Sequence, residues 1–326
     1  MTHVFKRTPR LLPLLVCLGA GSVQAATEVA APALQQWSAS KAQALSYLPN
    51  GSGDERLAVS KREGVLLLDK QGKTLSRVPG AFAGLDSRAL GDQVLVASHD
   101  KDRQQVALFS LDPKSHQWQP PTYLPARDYG VEGVCLYQDD SSNIYLFTVG
   151  EEGEGEQWLV AADSQRLPAP RLVRSLPLPP QAKFCQVDDG AQNLFVNEEN
   201  VGWWAYPAHA EADVERVPVA MVEPFGNVKK SAGAMALIPG GMVGLDPQAA
   251  QLNLYQQQGK RWAPVASLAL NGMIEPEHLA LRQTPQGLQL LVQDGASSKL
   301  YEGTLAWKTT PASLPPVLVS VKPAVQ

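Results

Sequence analysis

Short apolar runs separated by turn-forming residues recur along this chain in sets of four. "GVLLLD", "QVLVAS", "QVALFSL", "NIYLFTV" and "LQLLVQ" have strand length and are rich in Val, Leu and aromatic residues. Between such runs stand "KQGK", "DPKSHQ", "QDDSSN", "DDGAQN", "IPGG" and "TPQG". Asn, Asp and Gly accept the positive φ that tight hairpins need. Read as strand, turn, strand, loop, strand, turn, strand, the units cover 42–79, 80–125, 129–179, 181–225, 231–270 and 275–310. Each is roughly 40–50 residues, the length of a propeller blade. Third strands of different units look alike: "GVLLLD", "EQWLVA", "GWWAYP", "LNLYQQ" and "SKLYEG". The repeat predicts an all-β fold, a six-bladed β-propeller of four-stranded antiparallel blades over 42–310. A pair of β-sandwiches is the alternative and explains the repeat less well.

The ends differ. Lys6, Arg7 and Arg10 precede the short apolar run "LLPLLVCLGAG", and "VQA" ends at Ala25, the pattern of a secretory signal over 1–25. The run is too short to span a bilayer, and no other span follows, so the mature chain is expected to be secreted or periplasmic. Residues 26–41 read as a flexible lead-in and 311–326 as a Pro-rich tail or linker. Cys135 and Cys185 remain after cleavage; they can pair in an oxidising compartment or stay as two buried thiols. A net charge of -4 without a basic stripe argues against nucleic-acid binding.

In a propeller the first strand of each blade lines the central channel. "AFAGLDSR", "VEGVCLY", "KFCQVDD", "AGAMAL" and "PEHLAL" occupy that place, with Asp86, Arg88, Glu132, Lys183 and Glu277 as polar members. They make either a mixed-charge ligand channel or a water-filled one. Lys61 and Arg62 in "SKREG" suit a phosphate, because an ammonium adds a point charge and a guanidinium a bidentate fork. Glu198 and Glu199 in "NEEN", and Asp294 in "QDG", offer hard oxygen ligands for Ca²⁺ or are only turn residues. No G-x-S-x-G elbow or H-E-x-x-H zinc motif occurs. Trp203 and Trp204 invite a further reading, a carbohydrate- or protein-binding propeller.

Four segments together resemble the β-propeller phytases: "VSKREGVLLLDKQGKTL", "GVCLYQDDSSNIYLFTVGEEGEGEQWLV", "DDGAQNLFVNEENVGWWAYPAHAEAD" and "LLVQDG". The resemblance implies a secreted hydrolase, a 3-phytase that frees phosphate from myo-inositol hexakisphosphate (phytate) or another inositol phosphate, with Ca²⁺ as cofactor. It places Lys61 and Arg62 at a substrate-binding cation pair and Glu199 at a catalytic acidic position. Glu198, Glu199, Asp86 and Asp294 become metal-ligand candidates, Asp86 by following a backbone-ligand position filled by Leu85.

Other positions depart from the family pattern. Asp100 replaces a phosphate-binding arginine, Glu132 an active-site tyrosine and Glu151 a lysine. Lys183 and Ala232 replace channel glutamates. Exchanging a cation for an anion about 4 Å from a phosphate reverses roughly 4 kcal/mol at a surface-like dielectric. The resemblance is to the incomplete first propeller of two-propeller members. It implies a degenerate active site, with weak or no activity alone, or a non-catalytic accessory propeller for a catalytic phytase domain.

Overall fold

The structure, a computed structural model, describes residues 29–38, 41–49 and 54–309; the expected signal segment and the tail lie outside them. The described residues form six antiparallel sheets arranged as the blades of a propeller. The chain opens with β1 (Gln35–Ser38). Blade 1 contains β2 (Ala44–Tyr47), β3 (Arg56–Ser60), β4 (Gly64–Leu68) and β5 (Thr74–Val78). Blade 2 contains β6 (Phe82–Leu90), β7 (Gln93–Asp100), β8 (Gln105–Asp112) and β10 (Thr122–Tyr123), with β9 (Gln117–Trp118) as an extra partner of β8. Blade 3 is β11 (Val131–Gln138), β12 (Ile144–Gly150), β13 (Glu154–Ala162) and β14 (Gln165–Pro177). Blade 4 is β15 (Cys185–Asp188), β16 (Asn193–Glu198), β17 (Gly202–Pro207) and β18 (Val217–Met221). Blade 5 is β19 (Met235–Ile238), β20 (Gly241–Asp246), β21 (Gln251–Gln258) and β22 (Arg261–Ala269). Blade 6 holds β23 (Pro276–Thr284), β24 (Gly287–Asp294) and β25 (Lys299–Leu305), completed on its outer edge by β1.

The blade boundaries expected from the sequence coincide with these sheets, except at the closing blade. The stretch 26–41, expected to be a flexible lead-in, supplies β1, which pairs Gln35 with Glu302 and Gln36 with Tyr301. The reason is the edge problem: a blade with three strands leaves a row of unpaired backbone groups, and the amino-terminal strand covers it. Trp37 then ties β1 sideways to blade 1, with its Nε1 donating to Lys70 O at 2.8 Å and the Arg56 guanidinium 4.8 Å above its ring. The ring is therefore complete among the described residues, unlike the incomplete first propeller that the resemblance implies.

Burial explains the composition of the strands. The inner and middle strands are covered on both faces by neighbouring blades, so β3 and β4 are buried at every residue. The outer strand β5 faces solvent and is mostly polar. Between blades 1 and 2, Leu57, Val59, Val65 and Leu67 pack on Phe82, Val94, Val96 and Phe109. Trp203 fills the gap between blades 4 and 5, its Nε1 donating to Gly233 O at 2.9 Å. Its ring lies 2.6 Å from where a Cβ on Gly244 would sit, so that position needs glycine. The turns use the residues that marked them: Asp69 Oδ1 accepts from Gln71 N and Lys73 N, and Asp139 Oδ1 from Ser141 N and Asn143 N. Cys135 and Cys185 form a disulfide that joins the inner strands of blades 3 and 4, with a Cα–Cα distance of 5.9 Å. No helix among the described residues is long and apolar enough to cross a membrane.

Candidate functional site

Each first strand runs down the channel and each second strand runs back up. The turns between second and third strands and the links between blades therefore share one face, here the upper face. Lys61, Arg62, Asp100, Glu151, Glu198, Glu199 and Asp294 all reach that face, and Glu132, Lys183 and Glu277 stand at the top of first strands. Sharing a face does not gather them into one site.

Lys61 and Arg62 line a cavity of about 560 Å³ between blades 6 and 1, together with Lys41, Gln43, Ser60, Glu63 and Ser298. Glu63 faces Arg77 at 4.0 Å, and no carboxylate among the described residues pairs with Lys41, Lys61 or Arg62. Lys41 belonged to the expected flexible lead-in, so nothing in its immediate sequence marked it.

Four of the expected site residues are engaged inside the protein. Asp294 Oδ1 accepts from Ile274 N at 3.2 Å and Glu275 N at 2.9 Å, and Oδ2 from Ser297 N and Oγ. Burial opposes its charge, yet these bonds hold its carboxyl below the usual carboxylate range. Glu198 accepts from Trp204 Nε1 at 2.8 Å and faces Arg216 at 3.8 Å. Glu199 pairs with Lys183 at 3.4 Å. Asp86 lies deeper in the channel, accepting from Leu136 N, Ser87 N and Arg88 Nη1. Arg88 also donates to Asp189 at 2.8 Å and to Leu136 O, joining blades 2, 3 and 4. Burial disfavours the Arg88 charge, but Asp86 and Asp189 hold it above the usual guanidinium range. Among the described residues no three carboxylate, His or Cys side chains gather to hold a metal ion. The donors expected for Ca²⁺ are thus spread over blades 2, 4 and 6, and each accepts hydrogen bonds or an ion pair from this chain.

The departing positions are also dispersed. Asp100 caps its own turn, Oδ1 accepting from Asp102 N and Arg103 N, and lies by Tyr123 in a side cavity between blades 1 and 2. Glu151 is exposed in the β12–β13 turn, where its carbonyl accepts from Gln181 N. Ala232 is buried, its N–H bonded to Glu199 O. Only Glu132 and Lys183 reach the channel mouth. The expectation that one pocket lost its charges in concert is therefore corrected: the second-to-third-strand turns that carry Asp100 and Glu151 sit out from the axis, and Ala232 is buried in the link leading into β19.

The mouth itself is a cavity of about 320 Å³ bounded by all six first strands or their leads. Glu132, Lys183 and Glu277 line it with Lys101, which the sequence did not single out. Burial, with help from Glu275, pushes the Glu277 carboxyl up. Below them lie Phe184, Met235, His278 and Leu279. Burial pushes the His278 imidazole down to about 4, and its ring meets Phe184 edge-on at 5.3 Å. Trp203 is fully buried and Trp204 is covered by Arg216 at 4.1 Å, so the tryptophan pair offers no open stacking platform.

The described chain is a six-bladed β-propeller. No protein-family model matches it. Among solved structures it is similar to the crystal structure of the Cps50 (Swd1) β-propeller domain of Myceliophteria thermophila, with a TM-score of 0.54 at 11% identity. That match covers 84% of this chain and 99% of the other. At this identity the likeness is one of fold alone.

Proposed function

We propose that this chain is a non-catalytic binding propeller related to the β-propeller phytases, one that holds a phosphorylated ligand for a catalytic phytase domain. The observation that carries the reading is a separation of roles. Lys41, Lys61 and Arg62 share an open cavity, lined also by Glu63, and pair with no carboxylate among the described residues, whereas the acids expected to hold calcium are engaged by other residues of the chain. A guanidinium fork beside two ammonium groups suits a phosphate monoester such as an inositol phosphate. Hydrolysis needs a nucleophile-activating group beside the phosphorus, and the acids Glu198 and Glu199 are paired with Arg216 and Lys183 instead. The disulfide is in keeping with a secreted or periplasmic setting. The enzymatic alternative, phytate hydrolysis by this chain itself, rests on the motif resemblance.

Titration calorimetry with inositol phosphates at low salt tests the reading. Binding without phosphate release is expected, with a loss of about tenfold or more in Lys61→Ala/Arg62→Ala. Millimolar Ca²⁺ should leave the melting temperature unchanged, since an ion with no native site gives no stabilisation. Phosphate release from phytate, or no binding of any phosphate ester, overturns it.

A further inference from the structure

The channel mouth adjoins the Lys61 cavity at Gln43, and its charges follow a different rule. Going round the ring, Lys101 stands in blade 2, Glu132 in blade 3, Lys183 in blade 4 and Glu277 in blade 6. Two cations and two anions face one cavity. A polyanion gains from two of these groups and loses to the other two. Both cations flank Glu132 on the blade 2–4 side, Lys183 being paired with Glu199 at 3.4 Å, while Glu277 stands in blade 6 between Gln43 and Ala234, with Glu275 and Lys183 near enough to act on its charge. Glu277 has no ion-pair partner within 4 Å among the described residues, and neither has Lys101.

The floor mixes the apolar Leu85, Val134, Phe184, Met235 and Leu279 with the polar Gln186. His278 adds an imidazole that burial holds unprotonated near neutral pH, its ring edge-on to Phe184 at 5.3 Å. A small ligand here meets the Glu277 carboxylate on one wall, two ammonium groups flanking Glu132 on the other, and a largely hydrocarbon floor with Gln186. The cavity volume falls at the small end of ordinary ligand pockets.

We propose that the channel mouth binds a small zwitterion, an amino acid or ω-amino acid, whose ammonium faces Glu277 and whose carboxylate faces Lys101, Lys183 being already paired with Glu199 at 3.4 Å. Its methylene chain lies over Phe184 and Met235. The assignment is independent of phosphate binding at Lys61.

The test is calorimetry and saturation-transfer NMR on the full chain with ω-amino acids from glycine to 8-aminooctanoate, beside hexylamine and hexanoate as the separate halves. One member of the series should bind about tenfold tighter than either half, because only it uses both walls. Glu277→Gln and Lys101→Ala should each weaken that member about tenfold while the circular dichroism and melting curve stay as in the parent. If Glu277→Gln does not fold, the exposed Lys101→Ala variant decides. The proposal is overturned if no ω-amino acid binds at millimolar concentration, if hexanoate or hexylamine matches the zwitterion, or if both variants bind as the parent does. Inositol-phosphate binding is measured on the same samples, so failure at the channel and failure at the Lys61 cavity are read separately.

Discussion

Replacing Asp294 with alanine distinguishes a turn cap from a metal ligand. The carboxylate is buried and accepts four hydrogen bonds, from Ile274 N, Glu275 N, Ser297 N and Ser297 Oγ. A bond to a charged acceptor contributes about 1.5–3 kcal/mol, and water can rehydrate the donors nearest the turn surface. We expect Asp294→Ala to lose about 3 kcal/mol, or roughly 6–12 °C in melting temperature for a domain of this size. Asp294→Asn keeps an oxygen for Ile274 and Glu275 and should lose about 1–2 kcal/mol. Urea titration and calorimetry with and without Ca²⁺ measure both. Neither deficit should depend on the ion. Because the carboxyl is held below its ordinary 3.8, its contribution is complete above that pH and fades as acid titrates it lower. The reasoning fails if Asp294→Ala stays within about 0.5 kcal/mol of the parent, a change typical of surface substitutions, or if Ca²⁺ stabilises the parent but not Asp294→Asn.

Three other outcomes are expected. Cys135→Ala/Cys185→Ala opens a loop of 50 residues and should lose up to about 4 kcal/mol in the chain-entropy limit, read from urea midpoints. His278 and His99 are both held down to about 4, against an ordinary 6.5, by burial, with Lys101 also acting on His99. The unfolded chain therefore takes up protons first, so stability falls from pH 6.5 towards about 4, by at most about 1.4 kcal/mol per unit for each histidine; His278→Leu should flatten this slope. Trp37→Ala removes the bond to Lys70 O and the Arg56 stacking and should cost about 1–3 kcal/mol, with earlier proteolytic cleavage before residue 41.

The fold was legible because each blade repeats the same local grammar: Asp69, Asp112 and Asp139 close hairpins whose strands alternate or fill with Leu and Val. Ring closure was not, since "QQWS" is short and polar and its partner lies at the far end of the chain. The site was legible residue by residue but not in its assembly. An Asp at the end of a second strand reads equally as ligand or cap, and Asp246 and Asp294 bond to the backbone entering their own blades. Asn197 does the same through Lys183 N and Phe184 N, a regularity visible only once the strands are paired. Lys101 was missed because it sits beside the more conspicuous Asp100, and Asp189 because "DDGAQN" reads as a turn.

The strand that seals the ring is made first and used last. Emerging amino end first from a ribosome, Gln35–Ser38 has no seat until the hairpin carrying Glu302 is out. Assembly must end in one late step spanning nearly the whole polypeptide, the kind of step that slows folding most. A chain halted anywhere before β25 keeps raw sheet borders, which proteases and other nascent chains can exploit.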